Sequence, residues 1–267
     1  MIDKVIKINR KDYDEVISLG GSCSAASQLK HRGKRKCSYP LDWTWMTDTR
    51  PVLALPELVR TRFANHCRYE NMFEFAPPHP EYKEWMLNLE DKATGYRHIH
   101  SFNPPFSDRA TFERGNKVVR RRIDRMYKAI ENAEHVLLVL ATGFTCEDKD
   151  IEAIYRAFTE VFPKTDIEIV NIQFASDHCA MYDICGGQVH VAKFERQLNQ
   201  VYDNQLTTHE WSFMDGITVK GVLPVREVRK KNLKIKWMYK LWRWLGNRLE
   251  AANAGCANMR FRVWKEY

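Results

Sequence analysis

A chain of 267 residues with 44% apolar and 12% aromatic content carries enough nonpolar side chain to build its own core, which argues against disorder over most of its length. Lys+Arg of 42 against Asp+Glu of 34 leaves a net charge of +8, favouring anionic partners without bearing on fold. No apolar run approaches a membrane span, the opening MIDKVIKINRKDYDEV has no signal-peptide core, and seven scattered cysteines suit a reducing compartment, so a cytoplasmic protein is expected.

The first clear element is Glu15-Val16-Ile17-Ser18-Leu19, a short apolar run read as a buried strand. Gly20-Gly21 ends it, and Ser22 to Lys30 reads as a helix with Ser22 as N-cap and Gly33 closing it. An aromatic turn follows at Ser38-Tyr39-Pro40-Leu41-Asp42-Trp43-Thr44-Trp45. Residues 51–63 look helical, with a break expected at Pro56. The stretch 64–110 is rich in Pro, Asn and aromatics and reads as an irregular insertion with short elements, ending in a short strand at 96–102.

Helical spacing of Val119, Ile123, Met126, Tyr127 and Ile130 predicts a helix over 115–133, its Arg120-Arg121-Arg122 run being a solvated face. Residues 136–141 form a continuous apolar strand, 148–161 a helix, 167–172 a strand and 188–192 a last strand. Strand and helix in alternation predict an α/β fold: three layers, a mainly parallel sheet flanked by helices, Rossmann-like or SGNH-like. The α/β domain is expected to occupy residues 1–225. A basic amphipathic extension follows at 226–267; its helix, 226–249, holds nine Lys/Arg, with Leu233, Trp237, Leu241, Leu245 and Leu249 in steps of four. Its expected partner is either the core or an anionic membrane surface, which would make the protein membrane-peripheral; nucleic acid ranks lower.

Ligands of open α/β sheets bind beyond the carboxyl ends of the strands. Cys23 lies just past such an end, in the first turn of a helix, where unpaired N–H groups and the positive end of the helix dipole favour thiolate over thiol. Those N–H groups could also hold an oxyanion, so Gly20, Gly21, Ser22, Ser24 and Trp43 are the candidate oxyanion and substrate-binding residues. The plainer alternative makes Cys23 a small core residue and the glycines a tight turn. A thiolate nucleophile needs a base: His100 is preferred, with His98 second, and Asp42 would orient the base or bind substrate, or else cap its own turn. His178, Cys179, Cys185 and His190 lack the spacing of a zinc site, and no metal or cofactor is expected.

The segment Tyr13-Asp14-Glu15-Val16-Ile17-Ser18-Leu19-Gly20-Gly21-Ser22-Cys23-Ser24 and the block Ser38-Tyr39-Pro40-Leu41-Asp42-Trp43 resemble a bacterial family described as papain-like cysteine peptidases (DUF1796). His100-Ser101-Phe102 resembles its His-Asp-Phe block, with Ser101 in place of the acidic residue, and Lys117, Arg121, Arg122 and Arg125 resemble its basic helix. The resemblance implies a cysteine hydrolase acting on a peptide, with Cys23 as nucleophile and His100 as base. The strand–Gly-x-Cys–helix pattern is also similar to the first block of SGNH-type esterases, which keeps an esterase or acyltransferase acting on a glycan or lipid carrier open. A non-enzymatic module binding anionic ligands or membrane surfaces is the third reading.

Overall fold

The computed structural model describes residues 6–76, 87–99, 101–174, 177–195 and 209–222. In chain order these form β1 (Asp12–Tyr13), β2 (Glu15–Ser18), α1 (Cys23–His31), β3 (Thr44–Trp45), α2 (Arg50–Arg60), β4 (Met72–Ala76), β5 (Asn88–Asp91), β6 (Arg97–His98), α3 (Arg109–Glu131), β7 (His135–Thr142), α4 (Asp148–Val161), β8 (Asp166–Gln173), β9 (Ala180–Ile184), β10 (Val189–Lys193) and β11 (Thr218–Val219). The expected basic helix at 226–249 and the domain boundary at 225 lie outside the described residues. Among those described, no helix is long and apolar enough to cross a membrane.

Five strands make the central sheet in the order β2-β7-β8-β10-β9, parallel except for β9, which pairs antiparallel with β10. Both faces are covered, and the side-chain alternation of a strand explains how. Along β7, Val136, Leu138 and Leu140 join one apolar cluster with residues of α2, α3 and α4; Leu137, Val139 and Ala141 join a second with Ala25 and Leu29 of α1 and with Trp211 and Met214. A continuous apolar strand is what two buried faces require. The protein is thus a mixed α/β fold with a mostly parallel central sheet.

Three expectations need correction. The stretch 64–110 is not merely irregular: β4, β5 and β6 lie within it and join β3 in a four-stranded antiparallel sheet of order β3-β6-β5-β4. Strands of two residues are too short to show a period, and β6 covers only 97–98 of the predicted 96–102. Secondly, α2 runs through Pro56 without ending there. Pro51 already starts this helix, and Pro56 is buried with Val52, Leu55 and Val59 on the face that packs against α4, so packing offsets the lost backbone hydrogen bond. Thirdly, part of the Arg run on α3 is structural. Arg120 donates to the carbonyls of Phe63 and His66, and Arg125 donates to the carbonyl of Ser38, tying two loops to the helix.

Gly20 and Gly21 both adopt positive φ, +89° and +101°. A Cβ on Gly21 would lie 1.5 Å from the carbonyl oxygen of Ala141, and one on Gly20 would lie 2.7 Å from Thr44 Oγ1. The glycines therefore bring main chain against the neighbouring strand and the β3 turn. Gly21→Ala is expected to destabilise the fold by several kcal/mol, whereas Gly186→Ala, at φ +66° with open space around it, costs only about 1–2 kcal/mol. Urea denaturation of the two variants checks this, and equal midpoints would refute the close contact.

Candidate active site

Beyond Ser18 the chain stays alongside β7, with Leu19 N donating to Val139 O at 2.8 Å and Ala141 N to Gly20 O at 3.3 Å. Met46 N then donates to Gly21 O at 3.1 Å, which seats the residues around β3 on the glycine turn. Ser22 is the extended N-cap of α1 and its Oγ accepts from Ser24 N at 3.0 Å, so that amide is already occupied. Cys23 opens the helix at the carboxyl end of β2. It is 4% exposed, between the buried Ser22 and Ser24. Helix α1 packs on one face of the sheet, and α4, which follows the adjacent strand β7, packs on the other. The helices that follow these adjacent strands thus leave to opposite faces, and Cys23 lies at the carboxyl end of the first, at the edge of the sheet.

The turn carrying Asp42 and Trp43 is packed from several sides. Tyr39 N donates to Asp42 Oδ2 at 2.8 Å, and Arg35 approaches the same oxygen at 3.4 Å. The Tyr39 hydroxyl donates to Glu15 Oε2 at 2.7 Å, linking the turn to β2, and the Arg35 guanidinium lies 5.3 Å over the Trp43 ring. Asp42 is fully buried, and its Oδ1 and the Nη1 of Arg122 have no hydrogen-bond partner. Burial pushes the Asp42 carboxyl up to about 6, against the opposing pull of Arg35, the Tyr39 amide and Arg122.

Of the two candidate bases, His100 lies outside the described residues. His98 is paired with Thr44 across the β3–β6 ladder and is fully buried, its Nε2 3.2 Å from Cys67 Sγ. Burial, aided by the neighbouring His66, drives its imidazole down to about 3, while burial drives the Cys67 thiol up. The proton therefore stays on sulfur. This pair is the reverse of a thiolate–imidazolium pair, so the Cys67–His98 contact is not a primed nucleophile.

Other polar groups gather at the strand ends without having been singled out from the sequence. Cys146 N donates to Gln173 Oε1 at 3.0 Å, Gln173 Nε2 donates to Asn171 Oδ1 at 2.6 Å, and Thr142 Oγ1 lies 3.8 Å from Cys146 Sγ. The signal was available: Thr142 ends the apolar run of β7, and Asn171 and Gln173 are polar residues in the carboxyl half of β8. A cavity of about 460 Å³ opens between the 101–104 loop and α3, lined by Ser101, Asn103, Thr111, Arg114 and Arg122. The His178–His190 group is dispersed: Cys179 is exposed, and the two ring nitrogens of His190 contact Glu168 Oε1 at 2.6 Å and Asp183 Oδ1 at 2.7 Å.

The raised Asp42 carboxyl sets a pH dependence. Its folded value lies above its ordinary value, so the associated stability is present below about pH 4 and lost as pH rises through about 6. Asp42→Asn keeps an acceptor for Tyr39 N and removes the titration. Wild type should lose roughly 3 kcal/mol relative to this variant between pH 4 and pH 7, read from urea midpoints. A difference that stays flat with pH would mean that Asp42 ionises as freely in the fold as in the open chain.

No curated protein matches the chain, and no solved structure does. A family model described as "Putative papain-like cysteine peptidase (DUF1796)" matches residues 14–234, taking in the glycine turn, Cys23, the Asp42 turn and every strand of the central sheet. With most of its length matched, the chain belongs to that family.

Proposed function

We propose that the protein is a cysteine-dependent hydrolase in which Cys23 attacks a carbonyl carbon and His100 handles the proton. The carrying observation is the position of Cys23 as the first residue of α1, at the carboxyl end of β2, where α1 and α4 leave adjacent strands on opposite faces; the crevice expected at such a divergence is the proposed site. Family membership supports thiol chemistry, and the helix start supports thiolate formation through its dipole and amides. In the reaction His100 takes the proton from Cys23 as sulfur bonds to carbon. The leaving amine or alcohol departs with that proton, and water then cleaves the thioester to return the free thiol. Ser22 Oγ occupies the Ser24 amide and Ser18 Oγ the Gly20 amide, so the Gly21 and Ser22 amides are the proposed oxyanion donors. Asp42 serves by holding the turn beside this crevice, with Trp43 on the substrate side.

One observation favours a second reading. A nucleophile following the first strand of a mostly parallel sheet covered on both faces is the arrangement of an SGNH-like esterase or acyltransferase. In that reading the same Cys23 would act on an acyl ester of a glycan or lipid carrier.

Cys23→Ala should abolish turnover, by at least about 1,000-fold, on whichever substrate of a peptide and acyl-ester panel is cleaved, and His100→Ala should cost about as much. The class of substrate turned over separates peptidase from esterase. Iodoacetamide labelling of Cys23 is expected to stay nearly constant from pH 8 down to pH 6, whereas an ordinary thiol slows about tenfold per unit below its pKa. Because Cys23 is nearly buried, the shape of that profile rather than the absolute rate is diagnostic. A profile falling like that of a free thiol, together with an unaffected Cys23→Ala variant, would remove the proposal.

A further inference from the structure

The turn after α2 and the antiparallel sheet bury a second constellation, separate from the proposed site at Cys23. His66, Cys67 and His98 each offer a donor atom, all within 4.8 Å of one another, and all three residues are fully buried. Cys67 Sγ and His98 Nε2 are 3.2 Å apart, and the two imidazole rings are 5.1 Å apart between centroids. Neither ring nitrogen of His66 has a hydrogen-bond partner, nor does His98 Nδ1. His66 Nδ1 has only the Asp91 carboxylate, at 3.4 Å, and His66 Nε2 and His98 Nδ1 are left without a partner in a dry interior, where buried polar atoms are otherwise nearly always paired. We infer that this cluster is a site for a zinc-class divalent cation, with Cys67, His66 and His98 as its ligands.

The dimensions agree. Zinc–nitrogen bonds near 2.0–2.1 Å and zinc–sulfur bonds near 2.3 Å place tetrahedral donors about 3.3–3.6 Å from one another. The Cys67–His98 separation is already close to that, and the 4.8 Å limit on the rest requires only small side-chain shifts. Asp91 supplies the outer carboxylate: its Oδ2 lies 3.4 Å from His66 Nδ1 and accepts from Cys67 N at 2.9 Å, and its Oδ1 accepts from Ala93 N at 3.0 Å. A carboxylate beside a ligating imidazole orients the ring and raises its basicity.

Charge agrees as well. The Cys67 thiolate and the Asp91 carboxylate would offset the two charges of the cation, with the Arg120 guanidinium, held on the carbonyls of Phe63 and His66, as a further positive charge nearby. Loading displaces the Cys67 proton to solvent as the metal–sulfur bond forms, and both histidines bind as neutral imidazoles. The mixed thiolate and imidazole set suits zinc over the oxygen-seeking magnesium and calcium. Three protein donors leave the fourth tetrahedral position to a small ligand such as water. Cys67 adopts φ +54°, an unusual conformation for a non-glycine residue, and it is this turn that aims its thiol at His98.

The test uses the full chain, stripped of metal by chelator and reloaded with zinc or cobalt. About one zinc per chain should survive desalting, measured by elemental analysis, and cobalt loading should give a thiolate-to-metal charge-transfer band in the near ultraviolet. Cys67→Ala and His98→Asn should each eliminate that band, Asp91→Asn should weaken zinc binding 10- to 100-fold, and Cys179→Ala should change neither. Where a variant fails to fold, the wild-type cobalt spectrum decides alone, since it needs no substitution. Absence of the thiolate band and of retained zinc in the folded wild-type chain would overturn the inference, as would zinc that persists in a folded Cys67→Ala/His98→Asn double variant.

Discussion

The arrangement around Cys23 depends on one main-chain contact, the seating of Gly21 against the Ala141 carbonyl at the end of β7. No side chain fits between the two segments. That closeness lets Ala141 N reach Gly20 O and lets Met46 N reach Gly21 O, so one turn is hydrogen-bonded both to the central sheet and to the β3 turn. The start of α1 is thereby set in position and direction before any side-chain chemistry is considered. Helix α1 then buries Ala25 and Leu29 on the opposite face of the sheet from α4.

The central α/β layer was legible because its signals are strong and local. The run at 136–141 could only be a strand covered on both sides, and the 3.6-residue spacing of Val119, Ile123, Met126 and Ile130 marked α3. The antiparallel sheet was illegible for the opposite reason: β3 and β6 have two residues each, and their pairing is set by tertiary context. Cys23 could be singled out from strand–glycine–helix order alone. The Cys67 cluster could not, because His66, Cys67, Asp91 and His98 come from separate turns and strands and have no motif spacing; only the fold brings them together. Likewise, Arg120 reads as one of three solvated arginines until the carbonyls of Phe63 and His66 are seen to meet it.

The buried ionisable groups divide by how they are balanced. His190 is flanked by Glu168 and Asp183; although burial lowers its affinity for protons, hydrogen bonds to the two carboxylates outweigh that and push its imidazole up. Its link to Glu168, which also accepts from the Tyr13 hydroxyl, ties β10 and β8 to β1. Asp42 has only partial compensation, from Arg35 and a single amide, and its carboxyl rises in response. His98 faces a thiol and another imidazole and is held neutral. Burial is the largest single influence on all three, and the number and sign of the neighbouring charges decide whether it prevails.

The self-contained N-cap has its own implication for how the site could change over time. Ser22 closes the first turn through Ser24 N, and the glycine turn is secured by backbone atoms. The bonds that close both turns are thus made by residue 22 and by main chain. A hydroxyl could replace the sulfur without remaking the turn, so related chains could exchange one reacting group for another while retaining the same architecture.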